Sequence, residues 1–163
     1  MTDNRVRLDD PLSDGRQSET AMRVWRGAAR MLRQAGFSCL GELPLASGRR
    51  ADLVGMSAKG EIWIVEVKSS VADLRADGKW PEYRVHCDRL FFATHPDVPA
   101  DIFPAEAGLI LSDGYFAEIL RDAPEHRLTA ATRKAVTLRF AQAAANRLHL
   151  LHDPGLAGME QGR

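Results

Sequence analysis

Two apolar segments joined by a short polar turn constrain the fold more than any other feature of this sequence. Residues 51–56 and 62–68 are rich in branched apolar side chains, and the turn between them reads Ser-Ala-Lys-Gly. Extended runs bounded by turn residues predict a β-hairpin. With the hairpin centred on Lys59, the opposed residues are Met56 and Ile62, Val54 and Ile64, Asp52 and Glu66, and Arg50 and Lys68.

The two faces of this hairpin differ in character. Successive side chains of a strand point to opposite faces, so the opposed pairs share one face, which is apolar near the turn and charged at the far end. The other face carries only apolar side chains, namely Leu53, Trp63, Val65 and Val67. Apolar side chains on both faces predict a central strand pair that is covered on both sides.

The charged end of the hairpin brings two acids together. Directly opposed side chains have Cβ atoms about 4.5–5.5 Å apart, and like charges at that distance are destabilising. Lys68 supplies a single positive charge, whereas a hard divalent ion such as Mg²⁺ is well matched to two carboxylates, waters and phosphate oxygens. The alternative without a metal site is that Asp52 and Glu66 are solvated strand-end charges and Lys68 makes a surface ion pair. A one-residue slip in register would also undo the pairing.

The remaining segments predict an α/β domain. A helix is expected over 18–35, ending at Gly36, and another over 129–151, with Thr129 as N-cap. Further strands are predicted at 40–45, 89–93, 109–111 and 115–120, and helical turns at 71–74 and 79–87. The order indicates one mixed β-sheet flanked by helices. Residues 1–17 are expected to form a flexible N-terminal arm, 18–152 the domain, and 153–163 a C-terminal tail.

Composition excludes several classes of protein. Lys plus Arg and Asp plus Glu both number 22 in 163 residues, so any nucleic-acid binding must depend on local patches. Cys39 and Cys87 are far apart, and no complementary ligand set indicates structural zinc. No apolar stretch approaches the length of a membrane span, and no secretion signal is visible. We therefore expect a cytoplasmic protein without membrane partners.

Arginines suggest where a nucleic acid could bind. On the first helix Arg23, Arg26, Arg30 and Arg33 follow one another at steps of three and four, without an interleaved acid. This stripe is either a solvated face or a phosphate contact, and Arg49 and Arg50 stand near the expected metal site.

Other polar and aromatic residues have plainer explanations. Trp80 and Tyr83 could stack on bases, but packing of a helix onto the sheet is favoured. Asp73, Asp77 and Asp88 are interpreted as capping or structural charges, although Asp73 or Asp77 could border the site.

The residues Asp52 and Glu66-Val67-Lys68 resemble the signature of the PD-(D/E)xK nuclease superfamily, with Ala51 in place of the proline. The longer stretch from Val65 to Ala93 is similar to the MmcB family of bacterial DNA repair proteins. It includes Ser69-Ser70, Asp73, Lys79-Trp80, Tyr83 and Cys87-Asp88-Arg89-Leu90-Phe91-Phe92. The resemblance extends over about residues 18–150. It implies a restriction-endonuclease-like core.

The resemblance also implies roles for individual residues. Asp52 and Glu66 would bind Mg²⁺ or Mn²⁺, the carbonyl of Val67 would add a ligand, and Lys68 would orient or deprotonate the attacking water. Glu19 on the first helix is a candidate further ligand, or a first-turn acid favoured by the helix dipole and by Arg23. Arg49, Arg50, Arg26 and Arg30 are the candidate DNA contacts.

The expected function is that of a metal-dependent DNA phosphodiesterase in DNA repair, with Asp52, Glu66 and Lys68 as catalytic residues. The expected partner is DNA, possible forms being damaged, branched or single-stranded, and self-association or other repair proteins are further candidates. The alternatives are a nuclease-fold DNA-binding or accessory protein with little catalysis, and an interaction domain that binds a protein through the arginine face.

Overall fold

A computed structural model describes residues 18–159, which form a six-stranded mixed sheet flanked by helices. The strands lie side by side in chain order: β1 (Phe37–Pro44), β2 (Arg50–Ser57), β3 (Ile62–Val67), β4 (Arg89–Thr94), β5 (Gly108–Ser112) and β6 (Ala117–Arg121). The first three strands are antiparallel neighbours, β3, β4 and β5 run parallel, and β6 is antiparallel to β5. The α/β class and mixed sheet are therefore confirmed.

The helices begin where the sequence offers caps. Helix α1 (Glu19–Gln34) starts after Ser18, whose Oγ accepts a hydrogen bond from the Ala21 N–H, and Gly36 follows its end at a φ of 90°. Thr129 caps the long helix α3 (Ala130–His152) in the same way. The other helices are α2 (Val71–Ala76), α4 (Leu156–Met159) and the 3₁₀ segments Trp80–His86 and Ala100–Ile102.

The hydrophobic core covers both faces of the sheet. Helix α1 packs on one face, against the predicted apolar set Leu53, Trp63, Val65 and Val67. The opposite face carries Val54, Ile62 and Ile64, which pack with Tyr83 and with Val136 of α3. The predicted division of the hairpin between two faces is confirmed, because a central strand pair buries its side chains in both directions.

A buried ion pair attaches α3 to the hairpin. Asp88 is almost fully buried and accepts hydrogen bonds from the Ile62 N–H at 2.8 Å and the Leu128 N–H at 2.9 Å. Arg133 of α3 donates to both of its carboxylate oxygens, at 2.6 and 2.8 Å. Burial opposes ionisation, yet these four donations hold the Asp88 pKa below its ordinary value. The structural role predicted for Asp88 is confirmed.

Several segments differ from the prediction. Strand β1 begins at Phe37, not at residue 40, because the left-handed Gly36 turns the chain straight from α1 into the sheet. The last predicted strand starts at Ala117, because Asp113 accepts hydrogen bonds from the Tyr115 and Phe116 N–H groups in a turn. The helical segment predicted at 79–87 is a 3₁₀ helix.

The ends of the chain are described only in part. The C-terminal tail predicted from residue 153 contains the short helix α4, and residues 160–163 lie outside the described part. The predicted N-terminal arm, 1–17, lies outside it as well. Across residues 18–159, no helix has the length and apolar character needed to cross a membrane.

Candidate functional site

Asp52 and Glu66 come together at the end of the hairpin away from its turn. The Asp52 N–H donates a hydrogen bond to Glu66 Oε1 at 3.1 Å, and the Val67 N–H donates to Asp52 Oδ2 at 2.8 Å. Each carboxylate thus accepts a main-chain N–H from the opposite strand. The predicted convergence of the two acids is present in the fold.

These side-chain hydrogen bonds replace the regular ladder at this point. The β2–β3 pairing follows the predicted register from Met56–Ile62 to Leu53–Val65 and ends there. Beyond it the strands are joined by carboxylates where a regular pair would use main-chain carbonyls. The predicted Arg50–Lys68 pair lies past the end of the ladder. The main-chain pairing of β2 with β3 therefore stops next to the two acids.

Burial makes both acids hard to ionise. It raises the pKa of the Asp52 carboxyl, an effect only partly offset by the Val67 N–H and by the charge of Lys68. The pKa of Glu66 is raised well above its ordinary value, first by burial and then by repulsion from Asp52. A cation between two such groups would relieve both penalties. The pair therefore has the electrostatic character of a cation site.

Lys68 follows β3 directly and is mostly buried. Its Nζ forms an ion pair with Asp77 Oδ2 at 2.9 Å. Burial alone would lower the pKa of this amine, but the hydrogen bond and charge of Asp77 outweigh it and raise the pKa. The lysine is therefore a fixed positive charge beside Glu66.

Asp52, Glu66 and Lys68 line one open cavity of about 1010 Å³. Its charged lining residues are five acids and four cations: Glu42, Asp52, Glu66, Asp73 and Asp77, and Arg49, Arg50, Lys68 and Lys79. Of these, Asp73 and Asp77 come from α2 and its C-terminal cap, so the suggestion that they border the site is confirmed. The four cations would attract an anionic ligand to the cavity that contains the carboxylate pair.

Glu42 is a cavity residue that the sequence did not reveal. It is the one non-glycine residue of 18–159 with a positive φ, 51°, and it lies opposite Asp52, where the β1–β2 pairing skips a residue. Its buried carboxylate pairs with Arg50 at 2.5 Å, and Arg147 of α3 donates to its carbonyl at 2.6 Å. The positive φ of Glu42 could not be predicted from the sequence, because Glu has no preference for the left-handed region.

The predicted DNA contacts fall into two groups. Arg49 and Arg50 line the cavity, where Arg49 pairs with Glu82 and Arg50 with Glu42. Arg26 and Arg30 lie on the exposed side of α1 and do not line the cavity. The structure thus separates the arginine stripe from the carboxylates, and DNA contact by either group stays a prediction.

Of the other two predicted metal ligands, Glu19 and Val67, only Val67 lines the cavity. Glu19 is exposed in the first turn of α1 and does not line the cavity, although its neighbours Ser18 and Ala21 do. Val67 lines it. Both ligand roles stay predictions. Tyr83 is buried and Trp80 packs edge-on against Phe92 with ring centroids 5.6 Å apart, so the packing favoured for both is confirmed.

The residues present fit a small hard cation. Their donors are carboxylate oxygens, and Mg²⁺ commonly takes only one or two carboxylates and completes its shell with water and phosphate oxygens. Within the described residues, no group of three or more His, Cys, Asp and Glu side chains is arranged around a common point. A metal here would therefore be held through the Asp52–Glu66 pair.

Comparison with known proteins identifies one family through a family model. The family model of MmcB-like DNA repair proteins matches residues 8–155. The solved structure of the SPO1766 protein of unknown function from Silicibacter pomeroyi is similar, with 47% identity and a TM-score of 0.81, over 85% of this chain and 95% of that one. The comparison with curated proteins gives no match. Because the family model covers most of the sequence, the chain belongs to the MmcB-like family of DNA repair proteins.

Proposed function

We propose that this protein is a metal-dependent DNA phosphodiesterase that acts in DNA repair and has a restriction-endonuclease-like, PD-(D/E)xK core. One observation carries the proposal: Asp52, Glu66 and Lys68 line one cavity, and each of the two acids accepts a hydrogen bond from a main-chain N–H of the other strand, which makes them neighbours. Membership of a DNA repair family supports DNA as the substrate class.

The chemistry follows from the positions of these groups. When bound, Mg²⁺ or Mn²⁺ would acidify a coordinated water and polarise a phosphoryl oxygen. Asp52 and Glu66 would hold the cation, and the charged amine of Lys68 would stabilise the negative charge that develops at the phosphorus. Arg49, Arg50 and Lys79 on the cavity wall would contact neighbouring phosphates of the strand.

The ion pair between Lys68 and Asp77 bears on the role of the lysine. An amine held beside a carboxylate at 2.9 Å keeps its proton and is a poor general base. We therefore assign Lys68 the stabilisation of charge in the transition state. Removal of a proton from the attacking water is left to solvent or to the substrate phosphate.

The experiment is a cleavage assay on branched, flapped, duplex and single-stranded DNA with Mg²⁺ or Mn²⁺. Wild-type protein is expected to cut at least one substrate, and chelation of the metal is expected to stop it. Lys68→Met, which keeps the length of the side chain and removes its charge, is expected to lose most of the activity. The matched control is Lys59→Met in the exposed β2–β3 turn, which should cut like wild type.

A second candidate function is a DNA-binding accessory protein with little catalysis. The observation that favours it is the small acidic ligand set, two carboxylates with no third arranged around the same point in residues 18–159. This candidate predicts salt-sensitive DNA binding by wild-type protein and no cleavage of any substrate in the assay.

A further inference from the structure

The point where the chain leaves β3 is held by side chains from the end of β4. Because β3 and β4 are parallel neighbours, their carboxyl ends meet at one edge of the sheet. The Lys68 N–H donates to the Ala93 carbonyl at 2.9 Å, as a continuation of the ladder. The Lys68 carbonyl accepts a hydrogen bond from Thr94 Oγ1 at 2.8 Å. Both main-chain groups of Lys68 are thus fixed to β4.

The next residue is held in the same way. The Ser69 carbonyl contacts His95 Nε2 at 2.8 Å, and the Ser69 N–H donates to Asp73 Oδ2 at 3.2 Å. Thr94, the last residue of β4, and His95, which follows it, therefore hold consecutive carbonyls beyond the end of β3. The backbone leaves the sheet along one fixed path.

This path matters because the position of a lysine amine is poorly defined unless the main chain that carries it is fixed. The amine sits at the end of a flexible four-carbon stem, so an error at the main chain is carried to Nζ. Asp77 holds the amine itself at 2.9 Å. With the carbonyl held by Thr94 and the amine by Asp77, the side chain is fixed at both ends.

We infer that Thr94 is a positioning residue for Lys68. The Thr94 hydroxyl holds the Lys68 carbonyl and thereby keeps the lysine amine beside Glu66. The inference rests on the proposed function. Thr94 has no exposed surface, so its hydroxyl has a fixed surrounding and its bond to Lys68 is shielded from water. Thr94 itself does not line the cavity, so its effect on the site would act through Lys68.

The first test is kinetic and uses three substitutions. Thr94→Val preserves the shape of the side chain and removes the donor, and Thr94→Ala removes the donor together with the side chain beyond Cβ. Both are expected to lower kcat at least about tenfold, because small displacements of a catalytic group are costly. Affinity for DNA, measured with Ca²⁺ in place of Mg²⁺, should stay unchanged. Thr94→Ser retains the hydroxyl and should restore kcat.

A control separates positioning from loss of stability. Ile110→Val removes a buried methyl group from β5, on the face covered by α1, and should lower the melting temperature without lowering kcat. If Thr94→Val cuts like Ile110→Val, or if Thr94→Ser is as slow as Thr94→Val, the inference is overturned.

A measurement without cleavage keeps this inference distinct from the proposed function. Hydrogen exchange at the amides of Lys68 and Ser69 should quicken in Thr94→Val and stay slow in Thr94→Ser and Ile110→Val. Faster exchange in Thr94→Val together with a wild-type protein that cuts no DNA would support the positioning role of Thr94 and overturn the nuclease proposal. Unchanged exchange in Thr94→Val would overturn the positioning role, whatever the activity.

Discussion

Asp52 and Glu66 are joined across two strands by hydrogen bonds in which each carboxylate accepts a main-chain N–H of the other strand. This exchange takes the place of the β2–β3 ladder beyond the Leu53–Val65 pair, and it holds two like charges together at a buried Glu66 and a half-buried Asp52. The arrangement costs stability in the absence of a cation, since desolvation and mutual repulsion both disfavour the ionised acids. Such a cost at a cavity is typical of a functional site.

The hydrogen bonds decide which substitution tests the acids. Asp52→Ala would remove the acceptor of the Val67 N–H, whereas Asp52→Asn can still accept it and removes only the charge. We predict that Asp52→Asn abolishes metal-dependent cleavage and raises the melting temperature of the metal-free protein at neutral pH. Thermal unfolding in the presence of a chelator measures the second effect. A lower melting temperature for Asp52→Asn would contradict it.

The stability of the metal-free protein should depend on pH through these two acids. Their folded pKa values lie above the ordinary values of 3.8 and 4.5, so the contribution to stability is full below those values. It is lost as pH rises through the folded pKa values. We predict that urea unfolding of wild type shows this loss above about pH 4.5, relative to the Asp52→Asn, Glu66→Gln double variant.

A divalent ion should reverse that loss, because it binds the ionised acids of the folded chain only. The rise in melting temperature on addition of Mg²⁺ should therefore grow with pH. Glu118→Gln, an exposed acid on β6, is the matched control and should behave as wild type. A Mg²⁺ effect that is equal at low and high pH would argue against binding at the buried pair.

The two groups of arginines can be separated by salt dependence. Each phosphate contact releases condensed counterions, so its loss flattens the plot of log affinity against log salt by about one unit. We predict that Arg49→Gln with Arg50→Gln flattens this slope, because both side chains line the cavity. Arg26→Gln with Arg30→Gln should change it little. The reverse result would place the DNA on α1 and away from the carboxylates.

The attachment of α3 to the hairpin should be a major source of stability. Asp88→Ala removes the acceptor for two main-chain N–H groups and the carboxylate partner of Arg133, which keeps its hydrogen bond to the Gly60 carbonyl. Breaking a buried pair from one side costs about 3–5 kcal/mol, and we expect a loss in that range by urea denaturation. The exposed Asp122→Ala should cost under about 0.5 kcal/mol. Equal effects would show that α3 is held by other contacts.

Much of the hairpin could be predicted from its sequence. The short turn between two apolar runs predicts a hairpin centred on Lys59, and the structure has the resulting register from Met56–Ile62 to Leu53–Val65. Ser18, Gly36 and Thr129 mark helix ends because local hydrogen bonds and backbone freedom act over a few residues. These features need no knowledge of the rest of the chain.

The surroundings of the acids could not be predicted in this way. The left-handed Glu42 is held by Arg147, which is 105 residues further along the chain. Lys68 is fixed through Thr94, which is 26 residues away. Contacts between side chains and backbone over such separations depend on how α3 and β4 pack, and no periodicity in the sequence encodes them.

The central claim is that Asp52 and Glu66 form a divalent-metal centre, and titration of Mn²⁺ followed by electron paramagnetic resonance tests it most directly. The account predicts that wild-type protein binds Mn²⁺ at a site that Mg²⁺ can compete for, and that Asp52→Asn and Glu66→Gln each weaken it at least about tenfold. Glu118→Gln should bind as wild type does. No Mn²⁺ binding by wild type, or undiminished binding by both variants, would contradict the account.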